Sequence, residues 1–285
     1  MGLKIVDLFS GIGGFSLSGR EVGWETLLFC EIEKFPQLVL KKNFPGILIH
    51  SDIKTLTKGI IEKEFINRYG YYEPKELILT GGVPCQPAST AGKRRGRTDD
   101  RWLWDEATRL VREVKPAFAL FENVTGLISL ENGKALEKIF ADLENEGYTV
   151  ESFIIPACGV GAWHRRDRIW IIAYCNKGRL HTQRTEFRET DKRREANTIS
   201  RCSKDVPDTD SKYSKKQFRG DKLGSEIQKE APGWSYCKNG GIWEAESSVG
   251  RVAHGIPDRM DRLKGLGNAI VPQVAYEIFK AIEQL

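Results

Sequence analysis

The sequence predicts an α/β protein built on a doubly wound parallel sheet. Over the first 175 residues, short apolar runs alternate with segments of helical periodicity, and each run ends in glycine or in a polar residue. Strands that alternate with helices in this way pack into a parallel sheet covered by helices. The length of 285 residues is also sufficient to bury a sizeable core.

Six apolar runs are predicted to be strands, at residues 4–9, 26–30, 76–80, 117–121, 149–155 and 168–174. The clearest helical patterns between them cover residues 33–43, 102–114 and 133–146. In doubly wound sheets, ligands bind outside the carboxyl ends of the strands. The polar residues that follow four of these runs, at 10–14, 31, 81–86 and 122–123, are therefore expected to line one site.

The composition argues against secretion, membrane insertion and lipid anchoring. No apolar run approaches the roughly 18 residues that a membrane span needs, and the first residues lack the pattern of a signal peptide. Val6 occupies the position where a myristoylation signal requires Ser or Thr. The six cysteines form no Cys-x-x-Cys pair and have no histidine at zinc-ligand spacing, so we expect reduced thiols and no metal site.

The positive charge is concentrated in one segment. The net charge is +5, and between residues 176 and 230 Lys and Arg outnumber Asp and Glu while apolar residues are few. Such a segment cannot build a core by itself. It could be a solvated loop, or it could bind a polyanion, because Lys and Arg neutralise phosphates. Composition alone does not choose between the two.

A glycine-rich turn at residues 9–14 follows the first strand. Glycines let a backbone approach a ligand closely. Glu31 ends the next strand, where a carboxylate can accept hydrogen bonds from both hydroxyls of a ribose. Ser16 stands where the dinucleotide-binding pattern has its third glycine, so the turn alone is also compatible with a purely structural role. Together with Glu31 it favours an adenosine-containing cofactor, to which Asp52 could add a contact with the adenine amino group; alone, Asp52 is more typical of a helix N-cap.

Cys85 lies just past the third predicted strand, and prolines at 84 and 87 stiffen its loop. A cysteine presented in this way suits a nucleophile, whose thiolate is the reactive form, although an incidental thiol is the simpler alternative. Glu122 follows an apolar run, and partial desolvation of a carboxyl raises its pKa, so that it can act as an acid near neutral pH. The alternative is that Glu122 caps the following turn.

Two arginines precede the last predicted strand. Because Arg166 and Arg168 are two residues apart, they would share one face of a strand, with Arg165 on the other. Ordinary surface arginines at a strand edge are the alternative.

In chain order, these residues resemble the motifs of the DNA (cytosine-5)-methyltransferases. Residues 7–15 resemble the first motif, 31–32 the second, 52–53 the third, 84–86 the catalytic fourth, 122–124 the sixth, 166–168 the eighth and 266–272 the tenth. The ninth is faintly visible around residues 251–262. The order and spacing agree along nearly the whole chain, and the basic segment occupies the place of the family's target-recognition region.

The resemblance implies a Rossmann-like S-adenosylmethionine-dependent methyltransferase sheet with a small, irregular target-recognition domain. Residues 1–174 would form the catalytic, cofactor-binding domain, 175–248 the target-recognition region, and 249–285 a C-terminal segment that returns to the catalytic domain with a helix over about 269–284. The implied cofactor pocket comprises Phe9, Ile12, Gly13, Gly14, Glu31, Ile32, Asp52, Ile53, Leu103, Asn268 and Ala269.

The implied catalytic residues are Cys85, Glu122, Asn123, Arg166 and Arg168. Carbon 5 of cytosine is a poor nucleophile, so the Cys85 thiolate would first bond to carbon 6 while Glu122 protonates ring nitrogen 3. Arg166 would stabilise the base carbonyl, and Asn123 would brace the Cys85 loop. The base must leave the stack for this chemistry.

The implied activity is the transfer of a methyl group from S-adenosylmethionine to carbon 5 of a flipped cytosine in double-stranded DNA, with S-adenosylhomocysteine as product and no metal. Phosphate contacts would come from the basic residues that follow Cys85, which are Lys93, Arg94, Arg95 and Arg97. We expect a cytoplasmic, nucleoid-associated monomer without a membrane or an obligatory protein partner, in a restriction-modification or phage or host DNA-protection setting.

Two positions depart from the family pattern, since Ala88 replaces an aromatic residue and His164 replaces a glutamine. Both are expected near the flipped base. The closest alternatives are methylation of RNA by the same chemistry and an inactive DNA-binding relic. A nicotinamide dehydrogenase would share the glycine turn but would not need the Cys85 loop. A cysteine hydrolase would need a histidine base, and His50, His164 and His254 have no obvious orienting partner.

Overall fold

A computed structural model describes residues 2–84, 102–175 and 259–284 of the chain. Within these residues, seven strands form one sheet in the order β3-β2-β1-β4-β5-β7-β6. The strands are β1 (Lys4–Leu8), β2 (Glu25–Cys30), β3 (Leu48–His50), β4 (Leu77–Gly82), β5 (Phe118–Val124), β6 (Tyr148–Pro156) and β7 (Asp167–Cys175). The predicted α/β class and six predicted strands are confirmed. The seventh, β3, is a short edge strand that is not among the predicted strands, and its apolar run, at residues 47–49, is only three residues long.

The sheet is mixed, which corrects the expectation of a parallel sheet. Strands β1 to β5 are parallel, whereas β7 is antiparallel to both β5 and β6. The reason lies in the connection, because only residues 157–166 join β6 to β7. A parallel crossover needs about a dozen residues or more, whereas antiparallel neighbours can be joined by much less.

The helices in the described residues are α1 (Gly14–Glu21), α2 (Lys34–Asn43), α3 (Lys58–Tyr69), α4 (Trp104–Val114), α5 (Gly126–Ser129), α6 (Lys134–Asn145), α7 (Arg259–Asn268) and α8 (Pro272–Glu283). Helices α2, α4, α6 and α8 match the predicted segments to within a few residues. None of the helices in these three stretches is long and apolar enough to cross a membrane.

The hydrophobic core lies against the central strands. Every residue of β1 is buried, which requires cover on both faces of the sheet. The core also draws on the inward faces of three helices, through side chains such as Phe65, Leu110 and Ile139. The buried stripe of α4 follows helical periodicity, as its amphipathic sequence predicts.

The last helix packs against the first. The ring of Phe279 in α8 lies 4.6 Å from that of Trp24, whose indole nitrogen donates a hydrogen bond of 2.7 Å to Glu283. The Ser18 hydroxyl in α1 donates to the Pro272 carbonyl at 2.7 Å. The C-terminal helix therefore lies beside the helix that follows the glycine turn.

The described residues divide into two compact units. The larger contains the sheet and the eight helices, and the smaller consists of Ala157–Arg166. The smaller unit begins with a turn of 3-10 helix at Ala157–Val160, and the Ala157 amide closes it by donating to the Arg165 carbonyl at 2.7 Å.

Candidate active site

The carboxyl ends of four neighbouring strands lie side by side. Leu8 pairs with Cys30 of β2 on one side and with Gly81 of β4 on the other, and Gly82 pairs with Glu122 of β5. The glycine turn, Glu31, the end of β4 and the pair at 122–123 therefore share one edge of the sheet. This is the edge at which the sequence predicts a ligand site.

The glycine turn has an unusual backbone. Phe9, Gly11 and Gly13 all have positive φ angles, of 51°, 53° and 89°. Ser10 ties the turn to β2, because its amide donates to the Cys30 carbonyl and its hydroxyl accepts from the Cys30 amide, each at 3.1 Å. These two hydrogen bonds therefore fix the turn to the end of β2.

Gly11 and Gly13 serve different purposes in the turn. A Cβ atom on Gly13 would lie 2.7 Å from Phe44 and 2.9 Å from Leu40, so only glycine fits between the turn and these side chains. Among the described residues, nothing lies within 4 Å of a Cβ built on Gly11. The backbone at Gly11 consequently faces open space in which a ligand can approach closely.

Glu31 lies beside this open backbone. Its Oε2 accepts a hydrogen bond of 2.7 Å from the Gly11 amide, and its Oε1 accepts one of 2.8 Å from the Glu33 amide. A carboxylate oxygen can accept more than one hydrogen bond, so both oxygens can also receive hydroxyls. The neighbouring Ile32 is 69% exposed and offers an apolar surface next to the carboxylate. These groups fit a ribose and an attached flat ring.

Asp52 closes a turn ahead of α3. Its Oδ1 accepts from the Lys54 amide at 2.9 Å, and its carbonyl accepts from the Leu56 amide at 3.1 Å. The N-cap of α3 is Thr57, so the helix-capping alternative for Asp52 is wrong. Arg109 of α4 donates to the carbonyls of Ile53 and Leu56 at 2.9 and 3.0 Å and so fixes this turn.

Sequence reasoning missed Arg109. It also forms ion pairs with Glu106 and Glu113, three and four residues away on the same helix. In the sequence this pattern is typical of a solvated helix face, which hides the contact with the Asp52 turn.

Two predicted pocket residues belong partly to the core. Ile53 is 6% exposed, and Leu103, which directly precedes α4, is half-buried against the same core cluster. Their side chains therefore pack against the core, Ile53 directly after Asp52 and Leu103 directly before α4.

The C-terminal segment contacts the glycine turn directly. A Cβ atom on Gly265 would lie 3.4 Å from Ile12, and one on Gly14 would lie 2.5 Å from Ile270. Helix α7 ends at Asn268, between these two contacts. The structure thus brings the turn and the segment around 268–269 together.

Further contacts join α7 to α2. Lys264 pairs with Glu33 at 2.8 Å, and the Arg262 guanidinium lies 5.9 Å from the Phe35 ring. The Ala269 amide continues the end of α7 by donating to the Gly265 carbonyl at 3.1 Å. Helix α7 is therefore anchored beside the residues that follow Glu31.

Glu122 and Asn123, at the end of β5, are held by their neighbours. Glu122 is 8% exposed, and its Oε1 lies 3.0 Å from Nε of Arg168 on β7. The Asn123 side-chain Nδ2 donates to the Val83 carbonyl at 3.0 Å, while its Oδ1 accepts from the Val124 backbone amide at 2.8 Å. Asn123 thus fixes the backbone two residues before Cys85.

Arg166 lies outside the strand, which corrects one detail of the sequence analysis. β7 begins at Asp167, and Arg166 has a φ of 37°. Strand alternation therefore does not extend to Arg166 and cannot place it on the face of Arg168.

Several predicted residues lie outside the described residues. They are Cys85, Ala88, the basic residues Lys93, Arg94, Arg95 and Arg97, His254, and the target-recognition region from residue 176 onwards. Among the residues that the structure does describe, no group of three or more His, Cys, Asp or Glu is arranged to hold a metal ion.

The Cys30 thiol is unsuited to the nucleophilic role that the sequence predicts for Cys85. Burial, together with the negative charges of Glu31, Asp52 and Asp7, raises the pKa of its thiol to about 12. The thiol therefore stays protonated and behaves as a small buried hydrophobe.

The family described as C-5 cytosine-specific DNA methylase matches residues 3–251. The chain belongs to this family. The match includes the glycine turn, Glu31, the pair at 122–123 and Arg168, whose positions at one sheet edge are described above.

Two type II methyltransferases illustrate the likeness within this family. The chain is 33% identical over 187 residues to M.HhaI of Haemophilus parahaemolyticus, which covers 65% of this chain and 53% of that protein. It is 35% identical over 178 residues to M.HgiCII of Herpetosiphon aurantiacus, which covers 61% of this chain and 38% of that protein. The chain thus spans about half the length, or less, of these relatives.

Solved structures show the same fold. A DNA modification methyltransferase encoded within a prophage (E. coli) superposes with a TM-score of 0.51 at 30% identity, covering 61% of this chain and 47% of that one. A DNMT2 variant from Spodoptera frugiperda superposes with a TM-score of 0.50 at 24% identity, covering 66% and 54%. The fold is the Rossmann-like fold of S-adenosylmethionine-dependent methyltransferases.

Proposed function

We propose that this chain transfers the methyl group of S-adenosylmethionine to carbon 5 of a cytosine in double-stranded DNA and releases S-adenosylhomocysteine. The observation that carries the proposal is the junction of β4 and β5. There Asn123 holds the backbone before Cys85, and Glu122 lies next to it, paired with Arg168. Nucleophile loop and acid would thus be set on adjacent strands.

The glycine turn and its surroundings would hold the cofactor. When bound, S-adenosylmethionine supplies an electrophilic methyl group on its sulfonium. Glu31 would accept the ribose hydroxyls through the lone pairs that its backbone contacts leave available. Ile32 would lie against the adenine ring, and Asp52 would accept from the adenine amino group. The open backbone at Gly11 would allow the close approach.

A further set of residues would line the cofactor pocket. This set would consist of Phe9, Ile12, Gly13, Gly14, Ile53, Leu103, Asn268 and Ala269. The packing of residues 265–270 against the turn supports the assignment of the last two.

Cys85 would activate the base. Its thiolate would form a bond to carbon 6 while Glu122 holds a proton at ring nitrogen 3, so negative charge does not accumulate on the ring. Carbon 5 would then take the methyl group. A base would then take the proton from carbon 5, and the electron pair of that C–H bond would form the 5,6 double bond while the bond between carbon 6 and the sulfur breaks, which restores the thiolate.

The arginines would have different tasks. Arg168 lies 3.0 Å from Glu122 and would orient the carboxyl. Arg166 would donate to the base carbonyl and stabilise the adduct. The task of Arg166 requires a base that has left the DNA stack.

DNA contacts would come from the basic parts of the chain. Residues 175–248 would form the target-recognition region, residues 1–174 the catalytic domain, and residues 249–285 the returning segment. The four basic residues after Cys85 would grip phosphates. We further propose a monomer that works at the nucleoid in the cytoplasm without a metal or an obligatory protein partner, in a restriction-modification or phage or host DNA-protection setting.

The test is base-resolution mapping of 5-methylcytosine in DNA from a methylation-deficient host that expresses the full chain. We expect methylation at one short recurring sequence, and none with Cys85→Ala. Calorimetric titration with S-adenosylmethionine should show that the variant still binds the cofactor. Unmodified DNA from a folded, cofactor-binding wild-type protein would overturn the proposal and leave an RNA substrate or an inactive relic.

A further inference from the structure

Asp7, at the end of β1, is an ionisable side chain with no exposed surface. None of the steps proposed above uses it. It lies at the centre of the sheet, opposite Phe29 of β2 and Thr80 of β4. The next residues of the chain form the glycine turn.

The two carboxyl oxygens of Asp7 bond to different elements. Oδ2 accepts a hydrogen bond of 3.0 Å from the Ser16 hydroxyl in the first turn of α1. Oδ1 accepts one of 3.1 Å from the Thr80 hydroxyl on β4. Both hydroxyls are buried. One carboxyl thus connects the helix that follows the glycine turn with the strand that leads to Cys85.

This arrangement costs stability when Asp7 is ionised. Burial raises the pKa of Asp7 from 3.8 to about 7, against the opposing effect of the hydrogen bonds from Ser16 and Thr80, and the charge of Glu31 raises it further. A neutral side chain of similar shape would avoid the cost of a buried charge. A costly carboxyl between two parts of a candidate site points to a role in the site.

Among the described residues that face Asp7, no cationic side chain offsets its negative charge. Glu31, directly after β2, contributes negative charge, and the thiol of Cys30 at the end of β2 is neutral. Thr80 on β4 contributes its hydroxyl, and Ser16 on α1 contributes its hydroxyl and its backbone amide, all of them uncharged donors. The partial positive charge of the α1 N-terminus also favours the carboxylate.

We propose that Asp7 is a positioning residue that couples the glycine turn to β4. Its two oxygens hold α1, and with it the turn, in a fixed relation to the strand that ends before Cys85. Loosening one contact should therefore loosen the element on the other side of the carboxyl. The consequence for methyl transfer rests on the proposed function, whereas the coupling itself does not.

The decisive experiment measures amide hydrogen exchange in residues 9–14 of the full chain without cofactor. Thr80→Val removes the β4 contact but keeps the shape of the side chain. We expect exchange in the turn to become roughly two- to tenfold faster, the range expected for the loss of one buried hydrogen bond. Thr108→Val is the matched control, because the Thr108 hydroxyl bonds only to the backbone of its own helix α4.

A second pair of variants tests the same coupling from Asp7 itself. Asp7→Ala removes both contacts and should accelerate exchange in the turn and in residues 79–82. Asp7→Asn keeps one acceptor and can donate to the other hydroxyl, so it should restore most of the protection. If Asp7→Ala does not fold, Ser16→Ala takes its place and should accelerate exchange at residues 79–82.

The outcomes separate this proposal from the proposed function. If Thr80→Val leaves exchange in the turn as slow as Thr108→Val does, Asp7 does not couple the two elements, whether or not the protein methylates DNA. If the coupling is seen but the wild type does not methylate DNA, the proposed function fails and the positioning role stands.

Discussion

The two halves of the site edge are held by different kinds of contact. On the side of β1 and β2, backbone amides hold the turn and Glu31, and only glycine fits at position 13. On the side of β4 and β5, side chains make the contacts, since the Asn123 side chain donates to the Val83 carbonyl and Glu122 pairs with Arg168. The first half should therefore bind its ligand with little dependence on the side chains of Glu122 and Asn123. The second should lose function through single side-chain changes.

The largest effect is expected on the β5 side. Glu122→Gln keeps the shape but removes the proton donor, and general acid catalysis typically contributes about 10²–10⁴-fold. We expect DNA methylation to fall by that factor in steady-state assays, while calorimetry shows unchanged affinity for S-adenosylmethionine. Glu151→Gln on β6, whose carboxyl accepts from Tyr174 at an exposed site, is the control. Equal losses in both variants would remove Glu122 from the reaction.

On the turn side, Glu31→Ala should weaken cofactor binding with little effect on the fold. It removes two hydrogen bonds from ribose hydroxyls to a charged group, so the dissociation constant should rise by roughly ten- to a hundredfold. Glu144→Ala is the control, since Glu144 lies at an exposed position of α6. An unchanged dissociation constant for Glu31→Ala would take Glu31 out of the ribose site.

Asp7 bonds to both halves, through Ser16 and Thr80, and its ionisation makes the stability of the fold depend on pH. Its folded pKa of about 7 lies above its ordinary value of 3.8, so between these values the folded state binds the extra proton. Stability therefore falls as pH rises from about 4 to about 7, and the full cost is present above that range.

Asp7→Asn cannot ionise and should lose less stability between pH 5 and pH 8 than the wild type does. The difference is expected to be on the order of 2–4 kcal/mol in the free energy of unfolding. Urea denaturation at the two pH values measures it. Parallel curves for both proteins would show that Asp7 does not titrate in this range.

The smallest effect is expected at Arg109, which acts on the turn side through Asp52. Arg109→Lys cannot keep both carbonyl contacts, at Ile53 and Leu56, and both ion pairs. We expect the dissociation constant for S-adenosylmethionine to rise by roughly two- to fivefold, the effect of losing one modest hydrogen bond. Arg112→Lys, at an exposed position of the same helix, should change nothing. Identical affinities in the two variants would mean that Arg109 only stabilises α4.

The sequence predicts much of the turn side and less of what supports it. Glycines, an apolar strand and a carboxylate at the next strand end are local signals, and the structure places them at one edge. Arg109 could not be predicted, because Glu106 and Glu113 at helical spacing give it the pattern of an ordinary surface ion pair. The direction of β7 depends on the short connection before it, and an apolar run does not show in which direction a strand runs.

Ser16 shows why single positions can mislead. In the sequence it is the residue that breaks a glycine pattern. In the structure its hydroxyl donates to Asp7, so a side chain at this position is required for a contact rather than merely tolerated. The partner lies nine residues away on another element, which no local pattern can reveal.

The contact between Gly14 and Ile270 and the Ser18–Pro272 hydrogen bond also affect the order in which the protein can fold during synthesis. The hydrogen bond joins positions 254 residues apart. Ribosomes add about 5–20 residues per second, so the glycine turn of a nascent chain waits on the order of tens of seconds for its partner. During synthesis the turn therefore lacks this contact, and the packing of Ile270 and Pro272 beside it is completed only after translation has passed the basic segment.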